Sequence, residues 1–162
     1  MGDRTEVPSQ LARLEDQIRR AFHGEAWHGP SVLEVLRDVT PEMAHAHPVA
    51  AAHSIWELVL HIDSGYRLVL RRLQGNDAPL TEGEDWPPVP EPTEANWRGA
   101  VESLRRLNEQ LRAAILRFDP QRLDEPLASP YTAYTQFVGA PQHDLYHAGQ
   151  IAILKKAMEP RR

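Results

Sequence analysis

The chain has 162 residues, about one domain by length, and is 41% hydrophobic and 25% charged, a globular balance that can bury one core. It contains 0 cysteines, which excludes disulfides, thiolate metal ligands and cysteine nucleophiles. A formal net charge of -5 argues against non-specific nucleic-acid binding, which rests on basic surface, and no apolar run approaches the roughly 20 residues of a membrane-spanning helix.

The start of the chain, Met1 to Gln10, is polar and carries no apolar secretory core, so a cytoplasmic protein is expected. Leu11, Leu14, Ile18 and Phe22 then recur at three- and four-residue steps and predict a helix from Pro8 to Phe22. Trp27-His28-Gly29-Pro30 breaks it; this turn either lines a mouth or is a plain break with a packed tryptophan. Ser31 and Glu34 have the capping-box spacing and start a shorter helix with Val32, Val35, Leu36 and Val39 on its apolar side. Thr40-Pro41 ends it and opens one further turn towards His47-Pro48.

Ser54 and Glu57 repeat the capping-box spacing at the start of a second long helix. Its stripe is Ile55, Leu58, Val59, Ile62, Tyr66, Val69, Leu70 and Leu73, and Gly75-Asn76 stops it. The loop Asp77 to Pro92 carries five prolines, so it is expected to be non-helical, extended and stiff. Its length suits a crossover, and with Trp86 it is expected to cover the mouth of the bundle. Thr93 caps a third long helix, whose stripe runs from Trp97 through Leu104, Leu107 and Leu111 to Phe118, before Asp119-Pro120. The fourth spans at least Gln142 to Met158; an earlier start, near Tyr131, would put Pro141 inside it as a kink. Four such amphipathic helices must bury their stripes together. The expected fold is all-α, one domain over residues 1–162, a four-helix bundle with a long Pro-rich crossover loop.

The histidines carry the chemistry. His143 and His147 are four positions apart, so both rings project from one helix face, the face that continues into Ile151, Leu154 and Met158. Two imidazoles on a buried stripe are costly unless each finds a polar partner, and one divalent cation can serve both. His61 lies at the edge of the stripe of the second long helix. If that helix neighbours the fourth, His61 meets the pair. Three neutral imidazoles leave coordination positions open for water or substrate, as catalytic metal sites do. Imidazole does not distinguish divalent metals well; zinc or nickel is expected first, with manganese, iron or cobalt as alternatives. The bland alternative is three hydrogen-bonded histidines. His23, His28, His45, His47 and His53 sit in or beside predicted loops and helix ends, where histidines are usually solvated.

No separate general base stands out. Glu57, one turn before His61, either orients that ring or caps the helix with Ser54. Asp144 is expected to point away from the pair into solvent. Tyr146 and Gln150 flank the ligands and either bond substrate or pack at the core edge.

Three stretches together resemble the DinB-like superfamily, near its YfiT branch of metal-dependent hydrolase-like proteins: Trp27 to Ser31 with the helix that follows, Ser54-Ile55-Trp56-Glu57-Leu58-Val59-Leu60-His61, and His143-Asp144-Leu145-Tyr146-His147-Ala148-Gly149-Gln150-Ile151. The resemblance covers nearly the whole chain. It implies a four-helix bundle with a long crossover, a metal site on His61, His143 and His147, and a homodimer. It also implies an enzyme acting on small molecules: a thiol S-transferase of the bacillithiol type, or a metal-dependent hydrolase. A non-catalytic, metal-stabilised dimeric binding protein is the remaining alternative.

Overall fold

Each α-helix of the computed structural model, which describes residues 8–159, begins at a serine or threonine whose hydroxyl accepts a main-chain N–H of the first turn. These are α1 (Gln10–His23), α2 (Val32–Val35), α3 (Pro41–His45), α4 (Ile55–Leu73), α5 (Glu82–Asp85), α6 (Glu94–Leu116) and α7 (Ala133–Met158). Among the described residues there is no strand, only an isolated bridge between Pro126 and Thr132. No helix of the described residues is long and apolar enough to cross a membrane. The first seven residues of the polar Met1 to Gln10 stretch lie outside the described residues.

The capping boxes at Ser31–Glu34 and Ser54–Glu57 form as their spacing predicts. Gly75, just past α4, adopts φ 81°, the left-handed conformation that stops a helix at little cost to glycine. The start of α1 and the Pro-rich loop differ from the sequence expectation, and the fourth long helix takes the earlier of the two starts that the sequence allowed. Ser9 caps α1, so Pro8 precedes the helix instead of opening it. α7 begins at Ala133, and Pro141 sits inside it. The Pro-rich loop is not wholly non-helical: Thr81 and Glu84 form a third capping box around one turn, α5, which ends before Pro87 and so meets no proline.

The four long helices close a ring, with α4 packed on α6 and α7, and α1 packed on the same two. The pairing residues give their directions. Trp56 meets Trp97, Asp63 meets Ser103 and Tyr66 meets Asn108, so α4 and α6 run parallel. Arg72 meets Gln136 while His61 meets His143, so α7 runs against α4. Glu15 meets Arg112 while His23 lies beside Arg105, so α1 runs against α6. Two parallel neighbours in succession need a connection that returns along the bundle. The Asp77 to Pro92 segment is that crossover. Glu84 is held by Arg71 at 2.6 Å and, through its main-chain oxygen, by Ser64 at 2.6 Å. Asp85 and Trp86 then reach His61, and α6 starts beside the beginning of α4.

Apolar faces of all four long helices fill the interior, with Ile18, Phe22, Trp56, Leu104, Phe137 and Ile151 fully or almost fully buried. At about 25 cal/mol per Å² of apolar surface removed from water, burial of these large side chains dominates the stability of the bundle. The α2–α3 segment seals one end: Trp97 donates its indole N–H to the Val39 carbonyl at 2.9 Å, and Lys155 reaches the Val35 carbonyl at 2.9 Å. Trp27 is not packed; its turn leaves the indole fully exposed.

Candidate metal centre

α4 and α7 face each other, and their histidines meet in the seam. His61 projects from the middle of α4, and His143 and His147 from successive turns of α7. The Nε2 atoms of His61 and His143 are 3.1 Å apart, as are those of His143 and His147, and the three ligand atoms lie within 4.8 Å of one another. Bonds of about 2.0–2.1 Å to one ion, at angles between a right angle and the tetrahedral value, hold neighbouring nitrogens about 2.8–3.4 Å apart. The His61–His143 and His143–His147 spacings fall inside that range.

The protons on the rings make the same point. Nδ1 of His61 lies 3.0 Å from the main-chain oxygen of Asp85 and 3.0 Å from its carboxylate. Both oxygens only accept, so Nδ1 carries the proton and Nε2 of the neutral ring offers a lone pair. Nδ1 of His147 donates to the Gln150 amide oxygen at 2.6 Å, which leaves its Nε2 in the same state. Two lone pairs therefore converge on His143, whose Nε2 can donate to one of them at most. A cation satisfies all three rings together; hydrogen bonding among them does not. These three residues can hold a metal ion, and their chemistry fits one.

The surroundings favour the neutral rings that a metal needs. Burial, with smaller contributions from His147 and His61, pushes the His143 imidazole down to about 4. Burial also lowers His147, with the Gln150 bond working against it. His143 fits against α4 because Gly65 faces it: a Cβ there would lie 3.3 Å from the ring's Cε1 and 3.4 Å from its Nδ1. On the crossover side, Trp86 lies flat on His61, with ring centroids 4.0 Å apart.

A match to the family model described as the DinB superfamily covers residues 26–151. The chain belongs to the DinB superfamily. No curated protein and no solved structure matches it. The match takes in all three histidines of this DinB-superfamily chain and the crossover that supplies Asp85 and Trp86.

The structure revises the roles of the residues around them. Glu57 does not touch His61: its carboxylate accepts the Ser54 N–H at 2.6 Å and meets His47 Nε2 at 3.1 Å, so the local capping geometry takes it. Asp144 is not solvated. It is fully buried and accepts the Tyr66 hydroxyl at 2.6 Å, because α7 is covered by α1, α2 and α4 and its buried arc is wide enough to take in the residue next to His143. Burial raises the Asp144 carboxyl to about 7, and the Tyr66 bond opposes the rise. Tyr146 is mostly exposed, with its ring edge against His147. Gln150 orients His147. His53 is not simply solvated: it stacks on Trp86, with ring centroids 3.7 Å apart. Asp85 and Gly65 had no place in the sequence reading. Gly65, four residues after His61 on the same helix face, is the one that spacing could have flagged; Asp85 is 24 residues from His61 and nothing local joins them.

Proposed function

We propose that this protein is a metal-dependent thiol S-transferase, in which His61, His143 and His147 hold a divalent cation, zinc or nickel in the first place, and a small thiol is transferred to a small electrophile. One observation carries it: three imidazoles whose free lone pairs converge, two of them with their other nitrogen pinned by an acceptor. When bound, the cation supplies a Lewis acid that lets a thiol ionise near neutral pH. Asp85 and Gln150 fix the ring orientations and raise the basicity of the ligand nitrogens. Trp86 shields one face of His61 from water.

Thiol is favoured over water as the nucleophile by the state of the nearby carboxylates. Glu57 is occupied by Ser54 and His47, Asp144 by Tyr66, and Asp85 lies against His61. A water nucleophile profits from a further base, whereas a coordinated thiol is deprotonated outright. A cytoplasmic location, where small thiols stay reduced, and a homodimer complete the proposal; sedimentation tests the dimer.

The test is elemental analysis of the purified protein, followed by thiol consumption with an electrophile after zinc or nickel loading. About one ion per chain is expected, lost in His61→Ala and His147→Ala, with thiol consumed only by the loaded wild type. A wild type that binds no divalent metal overturns the proposal. Metal binding without any thiol consumption overturns the transferase part and leaves a metal-stabilised binding protein.

A further inference from the structure

Along the seam between α4 and α7, a cavity of about 240 Å³ runs from His61 and His143 past Gly65 and Gly139 to Arg72 and Gln136. Its walls are largely apolar, and Arg72 is the cationic side chain on them. On α4, Arg72 is eleven positions beyond His61, about 16 Å along the axis, so the histidines and the guanidinium mark two ends of one elongated space.

The state of that guanidinium is unusual. Its neighbour Arg71 is paired with the Glu84 carboxylate at 2.6 Å. Arg72, by contrast, has no carboxylate within ion-pair distance among the described residues. One of its terminal nitrogens donates to the Gln136 amide oxygen at 3.1 Å, and its Nε is buried with no hydrogen-bond partner. Gln136 is itself fixed: its amide nitrogen, with two hydrogens to donate, has three acceptors in reach, the Leu127 carbonyl at 2.9 Å, the Ser129 hydroxyl at 3.0 Å and the Tyr131 carbonyl at 3.2 Å. That network leaves the amide oxygen turned towards Arg72. The arginine is thus held in place by a neutral group, and no carboxylate of the described residues compensates its charge. A planar guanidinium with free N–H donors matches a carboxylate, which accepts two parallel hydrogen bonds.

We propose that Arg72 is the anion-recognition residue of this cavity, and that the small molecule bound there carries a carboxylate at the end remote from the histidines. The proposal rests on the reading of His61, His143 and His147 as the metal site, which receives the other end of the same ligand. The carboxylate belongs either to the thiol or to the molecule that accepts it; both present the same group to Arg72.

Calorimetric titration of the metal-loaded protein tests this. The probes are a series of ω-mercaptocarboxylates of increasing chain length, their primary amides, and dicarboxylates lacking sulfur. In the wild type, one chain length of mercaptocarboxylate is expected to bind at least about tenfold tighter than its amide, because the amide cannot form the charged pair. Arg72→Gln is expected to remove that preference while keeping the metal content and the affinity for the amide. Arg72→Lys is expected to keep part of it. If dicarboxylates bind in an Arg72-dependent way and mercaptocarboxylates do not, the anion is carried by the acceptor. Equal affinity for acid and amide across both series, or a preference that survives Arg72→Gln, overturns the proposal. Metal content, read separately, shows whether the metal site itself has failed: Arg72-dependent carboxylate binding by protein that holds no metal would support the anion site and reject the metal reading beneath it.

Discussion

Trp86 and His61 lie face to face, with ring planes within 1° of parallel and centroids 4.0 Å apart. The indole also stacks on His53 at 3.7 Å. The crossover thus does two things at once to His61: Asp85 anchors Nδ1, and Trp86 restricts rotation of the ring and keeps water from its face. Trp86→Ala removes the second restraint and leaves the first. Groups that orient a metal ligand without touching the metal are typically worth about 10–100-fold in affinity, and a loss near the lower figure is expected. Competition with a chromophoric chelator reads it; Trp86→Phe, which keeps a flat ring, is expected to recover most of the affinity. Affinity unchanged in Trp86→Ala would mean that Asp85 alone fixes the ring.

The buried Asp144 gives a pH dependence of definite sign. Its carboxyl is raised from the ordinary 3.8 to about 7, chiefly by burial. Between those values the folded protein holds a proton that the unfolded chain has lost, so this group stabilises the fold fully below about 3.8 and loses that contribution as pH rises through 7. Asp144→Asn imitates the neutral acid at every pH. Its stability relative to wild type should therefore improve steadily from pH 4 to pH 7 and then level off, in denaturant titrations of metal-free protein. Tyr66→Phe removes the donor at 2.6 Å and should cost about 1–3 kcal/mol. A constant difference between Asp144→Asn and wild type across that range would contradict a shifted carboxyl.

His143 works in the opposite direction. Burial lowers it from 6.5 to about 4, so between those values the unfolded chain binds a proton that the folded protein refuses. Its contribution is complete above pH 6.5 and disappears as pH falls through 4. In metal-free wild type the His143 and Asp144 slopes oppose each other over pH 4 to 6.5, and Asp144→Asn should expose the histidine slope as a steeper loss of stability in acid. In metal-loaded protein the proton competes with the ion for the same lone pair. Release should therefore set in only as pH falls towards and below about 4, where the folded His143 ring begins to take up a proton, followed by dialysis and elemental analysis at half-unit steps. Occupancy that stays flat as the pH is taken well below 4 while the protein remains folded would mean that the ion is not on imidazole.

What could be read in the chain and what could not separates along physical lines. Helix starts depend on hydroxyls and carboxylates within a few residues, so Ser31, Ser54 and Thr93 were legible as caps. The histidine pair was legible because four residues of helix are about one turn. The crossover was legible from its length and prolines, but not the α5 turn within it, where a local capping box outweighs the surrounding composition. The burial of Asp144 is not legible, because it depends on how many helices cover α7, a tertiary fact with no local trace. Glu57 had two readings, and the nearer partner took it. Asp85, Arg72 and Gln136 acquire their surroundings only when α4, α7 and the crossover are packed together.

Gly65 sets two effects against each other in one substitution. It lies inside α4, where Gly→Ala favours the helix by about 0.8–1 kcal/mol. The added Cβ, however, would sit 3.3 Å from Cε1 of His143 and 3.4 Å from Nδ1, closer than a relaxed contact. The ring has little freedom to withdraw, because its Nε2 is 3.1 Å from the Nε2 of His61 and 3.1 Å from that of His147. Moving it by a few tenths of an ångström leaves the helix intact but shifts one donor off the point where the three lone pairs meet. Gly65→Ala should therefore keep or slightly raise the melting temperature of metal-free protein while lowering metal affinity, by about tenfold if the site answers as it does to other perturbations of a ligand's surroundings. Chelator competition and thermal melts on the same preparation separate the two effects. A variant that loses stability without losing affinity would show that α4 moves instead of the ring, and that the seam between α4 and α7 is softer than the packing around His143 implies.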